Sequence, residues 1–173
     1  MEVRAEQDQD HAAVRRVHTL AFGGDHGVMV AGLVDALRSD PRTLSLVAVA
    51  DGVVAGHVMF SRCLLDAPPR LVEVRTLSPL AVLPDHQRRG IGGTLIRHGL
   101  ADLDRHGVPL VFLEGDPAYY RRFGFTAGGF RKPSLRIPDA GFQVCRLSAY
   151  EPWMTGTFVY SAAFWEHDAV GLR

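Results

Sequence analysis

The stretch Gln87-Arg88-Arg89-Gly90-Ile91-Gly92-Gly93-Thr94 constrains this chain more than any other. An apolar run with strand character, Leu77 to Leu83, precedes it, and apolar residues at helical spacing follow: Ile91, Leu95, Ile96, Leu100 and Leu103. The stretch therefore reads as a strand-to-helix turn. Glycines at 90, 92 and 93 let a ligand approach the backbone and tolerate positive φ without steric cost. The first N–H groups of the next helix have no intrahelical partner and sit at the positive end of its dipole, which makes an anion cradle. Arg88 and Arg89 add charge, so a diphosphate suits the turn better than a single carboxylate. A hydrogen bond to a charged group contributes about 1.5–3 kcal/mol, and three or four would anchor a micromolar ligand. The glycines also admit a structural reading, in which they only let a helix pack closely on a sheet. Two nucleotide motifs are excluded. G-x-G-x-x-G fails because Leu95 stands where Gly or Ala is required, and no Gly-Lys-Ser/Thr triplet exists for a P-loop.

At 173 residues, 47% hydrophobic and 22% charged, the chain fits one globular domain. Basic and acidic side chains both number 19, so no net field favours nucleic acid or an anionic membrane. Any anion specificity must be local. Met1 to Glu6 carries no apolar signal core, and no window of about 18 apolar residues is present for a membrane span. These features predict a cytoplasmic protein. Cys63 and Cys145 are too few and too far apart for a disulfide framework or a metal knuckle and read as core or half-buried thiols.

Along the chain, Val3-Arg4-Ala5 opens as a strand, and Asp8 or Asp10 caps a helix with the apolar face Ala13, Val14, Val17 and Ala21. A second helix carries Val30, Leu33, Val34 and Leu37 and ends before Pro41. His11, His18 and His26 lack metal-ligand spacing and read as surface or cap histidines. Leu44–Ala50 and Val53–Phe60 flank Asp51-Gly52, a hairpin signal. Arg62 to Pro69 turns the chain, and Leu71–Leu83 is a long strand that bulges or splays at Pro79, which cannot donate to a ladder. A helix over about 90–105 ends at Gly107. Leu110–Leu113 reads as a strand buried on both faces, and Asp116-Pro117 starts a short helix that Gly124 ends. Two further strands fall within 141–147 and 157–160, while Trp153, Phe164 and Trp165 close the core or line a pocket.

With these elements in order, two segments resemble the GNAT superfamily of acyl-CoA N-acyltransferases. Leu80-Ala81-Val82-Leu83-Pro84-Asp85-His86-Gln87-Arg88-Arg89-Gly90-Ile91-Gly92 is similar to its Q/R-x-x-G-x-G/A acyl-CoA motif after a splayed strand. Tyr120-Arg121-Arg122-Phe123-Gly124-Phe125 is similar to its Tyr-x-x-x-Gly-Phe signature one strand later. The likeness covers residues 3 to about 130. The string Gly115 to Tyr120 resembles a bacterial branch whose members are mostly of unassigned substrate. The resemblance implies a single GNAT domain over 1–173 with an α/β (α+β) fold: a central mixed, mostly antiparallel sheet, splayed at the long strand and flanked by helices.

It also implies a function. Acetyl-CoA is the acyl donor, no metal is needed, and the acceptor is a primary amine on a small molecule or a protein. Backbone N–H groups from Arg88 through Arg89, Gly90, Ile91, Gly92 and Gly93 to Thr94 hold the CoA pyrophosphate, with Gln87 beginning the loop. Leu80, Ala81 and Val82 offer main-chain groups to pantetheine, and the Val82 N–H lies near the acetyl carbonyl. Tyr120 reaches the CoA sulfur. Some members place a carboxylate on the long strand; here Thr76 stands at that position, and Glu73, a few residues further back, is the base candidate, with Glu114 and Asp116 as alternatives. Gly23–Gly27, Pro68–Arg70 and residues after 130 border the acceptor cleft. Dimers are common in the family. Neither nucleic acid nor a membrane is an expected partner. A non-catalytic acyl-CoA sensor or subunit is the competing reading.

Overall fold

The computed structural model describes residues 1–171. The chain forms two compact units, one of Met1–Ser61 with Leu77–Gly99, the other of Arg62–Thr76 with the residues from Leu100 onward. Strands β3 and β4 run through both.

In the first unit, β1 (Glu2–Ala5) pairs antiparallel with β2 (Leu44–Ala50), and β2 with β3 (Val53–Asp66). Asp51 and Gly52 join β2 to β3 with φ of 53° and 76°, the paired left-handed conformation that a two-residue hairpin demands. Helices α1 (His11–Phe22) and α2 (Gly24–Leu37) approach to backbone contact: a Cβ at Gly27 would lie 2.5 Å from the Thr19 carbonyl oxygen. Helix α3 (Ile91–Arg105) rests on the Gly56 side of β3, where a Cβ would meet Ile91 Cγ2 at 2.8 Å. The missing side chain sets that packing distance.

In the second unit, β4 (Leu71–Val82) pairs in parallel with β5 (Leu110–Glu114) at Arg75–Val111 and Thr76–Phe112, before Pro79. β5 pairs antiparallel with β7 (Phe142–Arg146), and β7 with β6 (Thr126–Ala127). The sheet is mixed and mostly antiparallel, as expected, and helices flank it. Phe112 is the hub of this core, with ring centroids 4.5 Å from Phe158 and 5.6 Å from Phe142. Two short helices, α4 (Pro117–Tyr120) and α5 (Ala162–Glu166), complete the unit.

Three expectations are corrected. Arg62–Asp66 is strand rather than turn, because Leu64, Leu65 and Asp66 pair with β8 (Thr157–Val159). Asp10 does not cap α1: its carboxylate takes Arg4 at 2.6 Å and the Gln7 N–H at 2.8 Å. His18 is fully buried, not on the surface. Of Trp153, Phe164 and Trp165, Phe164 joins the core as expected, Trp165 stays 44% exposed, and Trp153 lies under the Arg70 guanidinium, 4.4 Å away.

Candidate active site

The cradle takes its shape from two left-handed residues. After a short 3-10 turn at Pro84–His86, Arg88 adopts φ 62° and Gly90 φ 80°, and α3 begins at Ile91. Gly92 and Gly93 are therefore helical, and the backbone freedom is used at Gly90. Hydrogen bonds narrow the expected set of donors. The Gln87 N–H donates to Pro84 O (3.3 Å) and the Thr94 N–H to Gly90 O (3.0 Å), so both are engaged. From Arg88 to Gly93 the N–H groups make no hydrogen bond among the described residues. That leaves a run of open donors at the helix start. Gln87 Nε2 donates to Val82 O (3.1 Å), tying the loop to the end of β4. Arg89 reaches Asp51 (3.3 Å), but both side chains are more than half exposed and the pair adds little.

On β4, Ala81 is buried against Val17 and Leu83, with Ala21 and Val54 packed beside them. Leu80 and Val82, which flank Ala81 along the strand, are half-buried.

In the second unit, Asp116 caps α4 through the Ala118 N–H (2.9 Å), and Pro117 opens the helix as the sequence suggested. Tyr120 ends α4 with its ring laid over Gly115, so that a Cβ on Gly115 would overlap the ring. Phe125 lies 5.9 Å away, centroid to centroid. Burial, reinforced by Tyr119 and Asp116, pushes the Tyr120 phenol up to about 12, so it stays protonated. Its hydroxyl makes no hydrogen bond among the described residues. The close approach of Gly115 was not foreseen from the sequence.

The carboxylates divide sharply. Burial alone would raise the Glu73 pKa, but Arg62 and Arg75, each 2.9 Å away, outweigh it and hold Glu73 below the usual range. A carboxylate so paired is a weak proton acceptor. Glu114, half-buried at the end of β5, has its pKa raised by burial. It accepts hydrogen bonds from the Tyr160 hydroxyl (2.6 Å) and the Gly171 N–H (3.1 Å). Thr76 is fully buried and donates to Phe112 O (3.2 Å). Burial also raises the Cys63 thiol to about 12 and moves Cys145 the same way, so neither is a ready nucleophile. An open cavity of about 680 Å³ in this unit is lined by Asp66, Pro68, Phe130, Arg131, Thr155 and Thr157, and includes Pro68 and Arg131 from segments expected at the acceptor cleft. Among the described residues no group of three His, Cys, Asp or Glu is arranged to hold a metal ion, and no helix is long and apolar enough to cross a membrane.

Comparison with known proteins agrees with this geometry. Residues 2–128 match the acetyltransferase (GNAT) domain family. The Escherichia coli K12 protein YjhQ, an uncharacterised N-acetyltransferase, is 38% identical over 117 residues, which cover 67% of this chain and 64% of YjhQ. The match thus spans a little under two thirds of that relative. YhbS from the same organism, another uncharacterised N-acetyltransferase, is 38% identical over 122 residues, 68% of this chain and 72% of YhbS. Among solved structures, a GNAT family acetyltransferase from Brucella melitensis in complex with acetyl-CoA superposes with a TM-score of 0.76 at 39% identity, covering 94% of this chain and 97% of that one. The E. coli YhbS structure, in complex with CoA, gives 0.84 at 31% identity, with 99% and 93% covered. With the family profile matched from β1 to the end of β6, over an open donor run at the start of α3, this chain belongs to the GNAT acetyltransferase family.

Proposed function

We propose that this chain transfers the acetyl group of acetyl-CoA to a primary amine by direct attack in a ternary complex. The observation that carries the reading is the run of open N–H groups from Arg88 to Gly93, which matches the diphosphate of CoA in charge and in number of donors. Leu80, Ala81 and Val82 offer main-chain groups to pantetheine, and the Val82 N–H donates to the oxygen that becomes an oxyanion.

The amine nitrogen attacks the acetyl carbonyl carbon, the C–S bond breaks, and CoA leaves as its thiolate. A phenol near 12 does not surrender its proton to a thiolate whose conjugate thiol has a pKa of about 8.5. Tyr120 instead donates a hydrogen bond to the thiolate. The amine must lose a proton, because a lysine-like amine at pH 7 is protonated and the neutral form costs about 4–5 kcal/mol. Of the three acidic candidates, Asp116 is engaged in capping α4 through the Ala118 N–H, and Glu114 suits the task better than Glu73: burial favours the protonated carboxyl at 114, and two guanidiniums disfavour it at 73.

The test is release of CoA thiol from acetyl-CoA in the presence of polyamines, aminoglycosides, amino acids and peptide N-termini, with product masses recorded. Glu114→Gln is expected to lower kcat by about 100-fold and Glu73→Gln by less than about threefold. The reverse order would move the base to Glu73. Binding of CoA without thiol release for any amine would favour a non-catalytic acyl-CoA-binding subunit. Gly90→Val forces a β-branched residue into φ 80°, and is expected to weaken CoA binding at least about tenfold by calorimetry, since the left-handed region costs such a residue about 1–3 kcal/mol. Unchanged affinity would remove the cradle from the site.

A further inference from the structure

Three segments meet at the cavity of about 680 Å³ in the second unit. Asp66, the last residue of β3, pairs with Thr157 of β8, and Thr157 forms a parallel bridge with Arg131 on its other side. The Arg131 N–H donates to Gly156 O (2.8 Å) and the Phe158 N–H donates to Arg131 O (3.0 Å), which closes the bridge. Gly156 permits the close seat of this segment on β3: its φ is 128°, and a Cβ there would overlap the Asp66 carbonyl oxygen. Asp66, Thr157 and Arg131 therefore share one rung, with the outer two Cα atoms two strand spacings, roughly 10 Å, apart. Directly paired residues project to the same face of a sheet, so a carboxylate, a hydroxyl and a guanidinium stand side by side, and all three residues line the cavity.

These three side chains make no hydrogen bond or ion pair among the described residues. Other charged groups of the unit are paired: Glu73 lies between Arg62 and Arg75, Lys132 binds Asp139 (2.5 Å), and Arg136 reaches Asp168 (3.5 Å). A carboxylate and a guanidinium that face one space without pairing suit a guest that carries both charges itself. The gap over Thr157 fits charges about one carbon apart better than the two ends of a long chain. Ala67, Pro68 and Phe130 add apolar surface to the same cavity. Phe130 is held in place by the edge of Phe112 (5.1 Å between centroids) and by the Arg146 guanidinium over its ring (5.2 Å).

We propose that this cavity binds the head group of an α-amino acid, with its ammonium on Asp66, its carboxylate on Arg131 and the Thr157 hydroxyl, and an apolar side chain against Pro68 and Phe130. The guanidinium fork matches a carboxylate with two parallel donors, and the threonine hydroxyl supplies a third. A carboxylate beside an ammonium keeps it charged, and a charged amine is no nucleophile. The site therefore holds its guest without acetylating that nitrogen, and it stands independently of the acetyl-transfer reading. Asp66 and Arg131 are exposed, so the affinity is modest and falls with salt.

Titration of the 15N-labelled full chain with glycine and with L-leucine, in the absence of acetyl-CoA, tests the site through the Arg131 side-chain N–H and the Gly156 backbone signals. L-leucine is expected to bind with a Kd of about 1 mM, and glycine more weakly, since it lacks the apolar contact. N-acetyl-L-leucine, which has no ammonium, and L-leucinamide, which has no carboxylate, should each bind at least about tenfold more weakly than L-leucine. Asp66→Asn should weaken L-leucine about tenfold and leave N-acetyl-L-leucine unchanged; Arg131→Gln should weaken both and leave L-leucinamide unchanged. Both positions are exposed, so the variants should keep the wild-type unfolding temperature, and the four ligands decide the question on the wild type alone. No shift with glycine or L-leucine up to about 20 mM overturns the proposal. Equal affinity for L-leucine and its two derivatives, or L-leucine binding unchanged in both variants, overturns it as well.

Discussion

Acidification from pH 7 to pH 5 is expected to destabilise the protein by about 2 kcal/mol through His18 alone. The folded pKa of His18 is about 2, against an ordinary value of 6.5, because burial disfavours the imidazolium. Between these two values the unfolded chain binds a proton that the folded chain refuses, so stability falls as pH drops below 6.5. His57, also depressed by burial, adds in the same direction. Glu6 follows in a lower window. Burial would raise its pKa, but His57, Arg38 and Ser45 together pull it well below 4.5. The stability Glu6 contributes is therefore complete above pH 4.5 and is lost as pH falls further. Urea unfolding at pH 7, 6 and 5 measures the slope, and His18→Phe should flatten it. A wild-type midpoint constant over this range would show that the buried pair takes up protons without unfolding.

Loss of the Tyr120 hydroxyl carries the second large effect, now on rate. A charge-assisted hydrogen bond to the leaving thiolate is worth about 1.5–3 kcal/mol, so Tyr120→Phe is expected to lower kcat about 10–100-fold. The KM for acetyl-CoA should hardly change, because the bond strengthens only as the thiolate forms. Gly115→Ala is expected to match it with the phenol still present, because the added methyl would occupy the space of the Tyr120 ring. Steady-state kinetics on both variants check this. Full activity in Tyr120→Phe would remove the leaving-group role. Full activity in Gly115→Ala alone would mean that the ring has room to move without cost.

The local features were legible because their causes are local. Asp51-Gly52 announces the hairpin by its left-handed φ values, Asp116-Pro117 announces α4 by its cap, and the glycines announce the turn before α3. The cradle's place was readable, but its donor inventory was not. That Gln87 and Thr94 are already engaged depends on how the loop closes on Pro84 and Gly90. Features with distant partners were misread. His18 looks like a solitary polar residue on a helix, and its partner lies 39 residues away on β3. Arg62–Asp66 looks like a turn beside Pro68 and Pro69, and the strand that claims it begins at Thr157. The contrast between Glu73 and Glu114 was equally hidden. Arg62 is ordinary in the sequence, and neither its pairing with Glu73 nor the burial of Glu114 beside the remote Tyr160 can be read from the local residues.

The central claim is that the start of α3 binds the diphosphate of acetyl-CoA. The most direct test is the unfolding temperature of the full chain titrated with acetyl-CoA, CoA, NAD and ATP in parallel. At 100 times its Kd a ligand stabilises by about 2.7 kcal/mol, a shift of several degrees for a domain of this size. The account predicts that shift with acetyl-CoA and CoA, none with NAD or ATP at the same concentration, and its loss in Gly90→Val. No response to the CoA species, or an equal response to ATP, would contradict it.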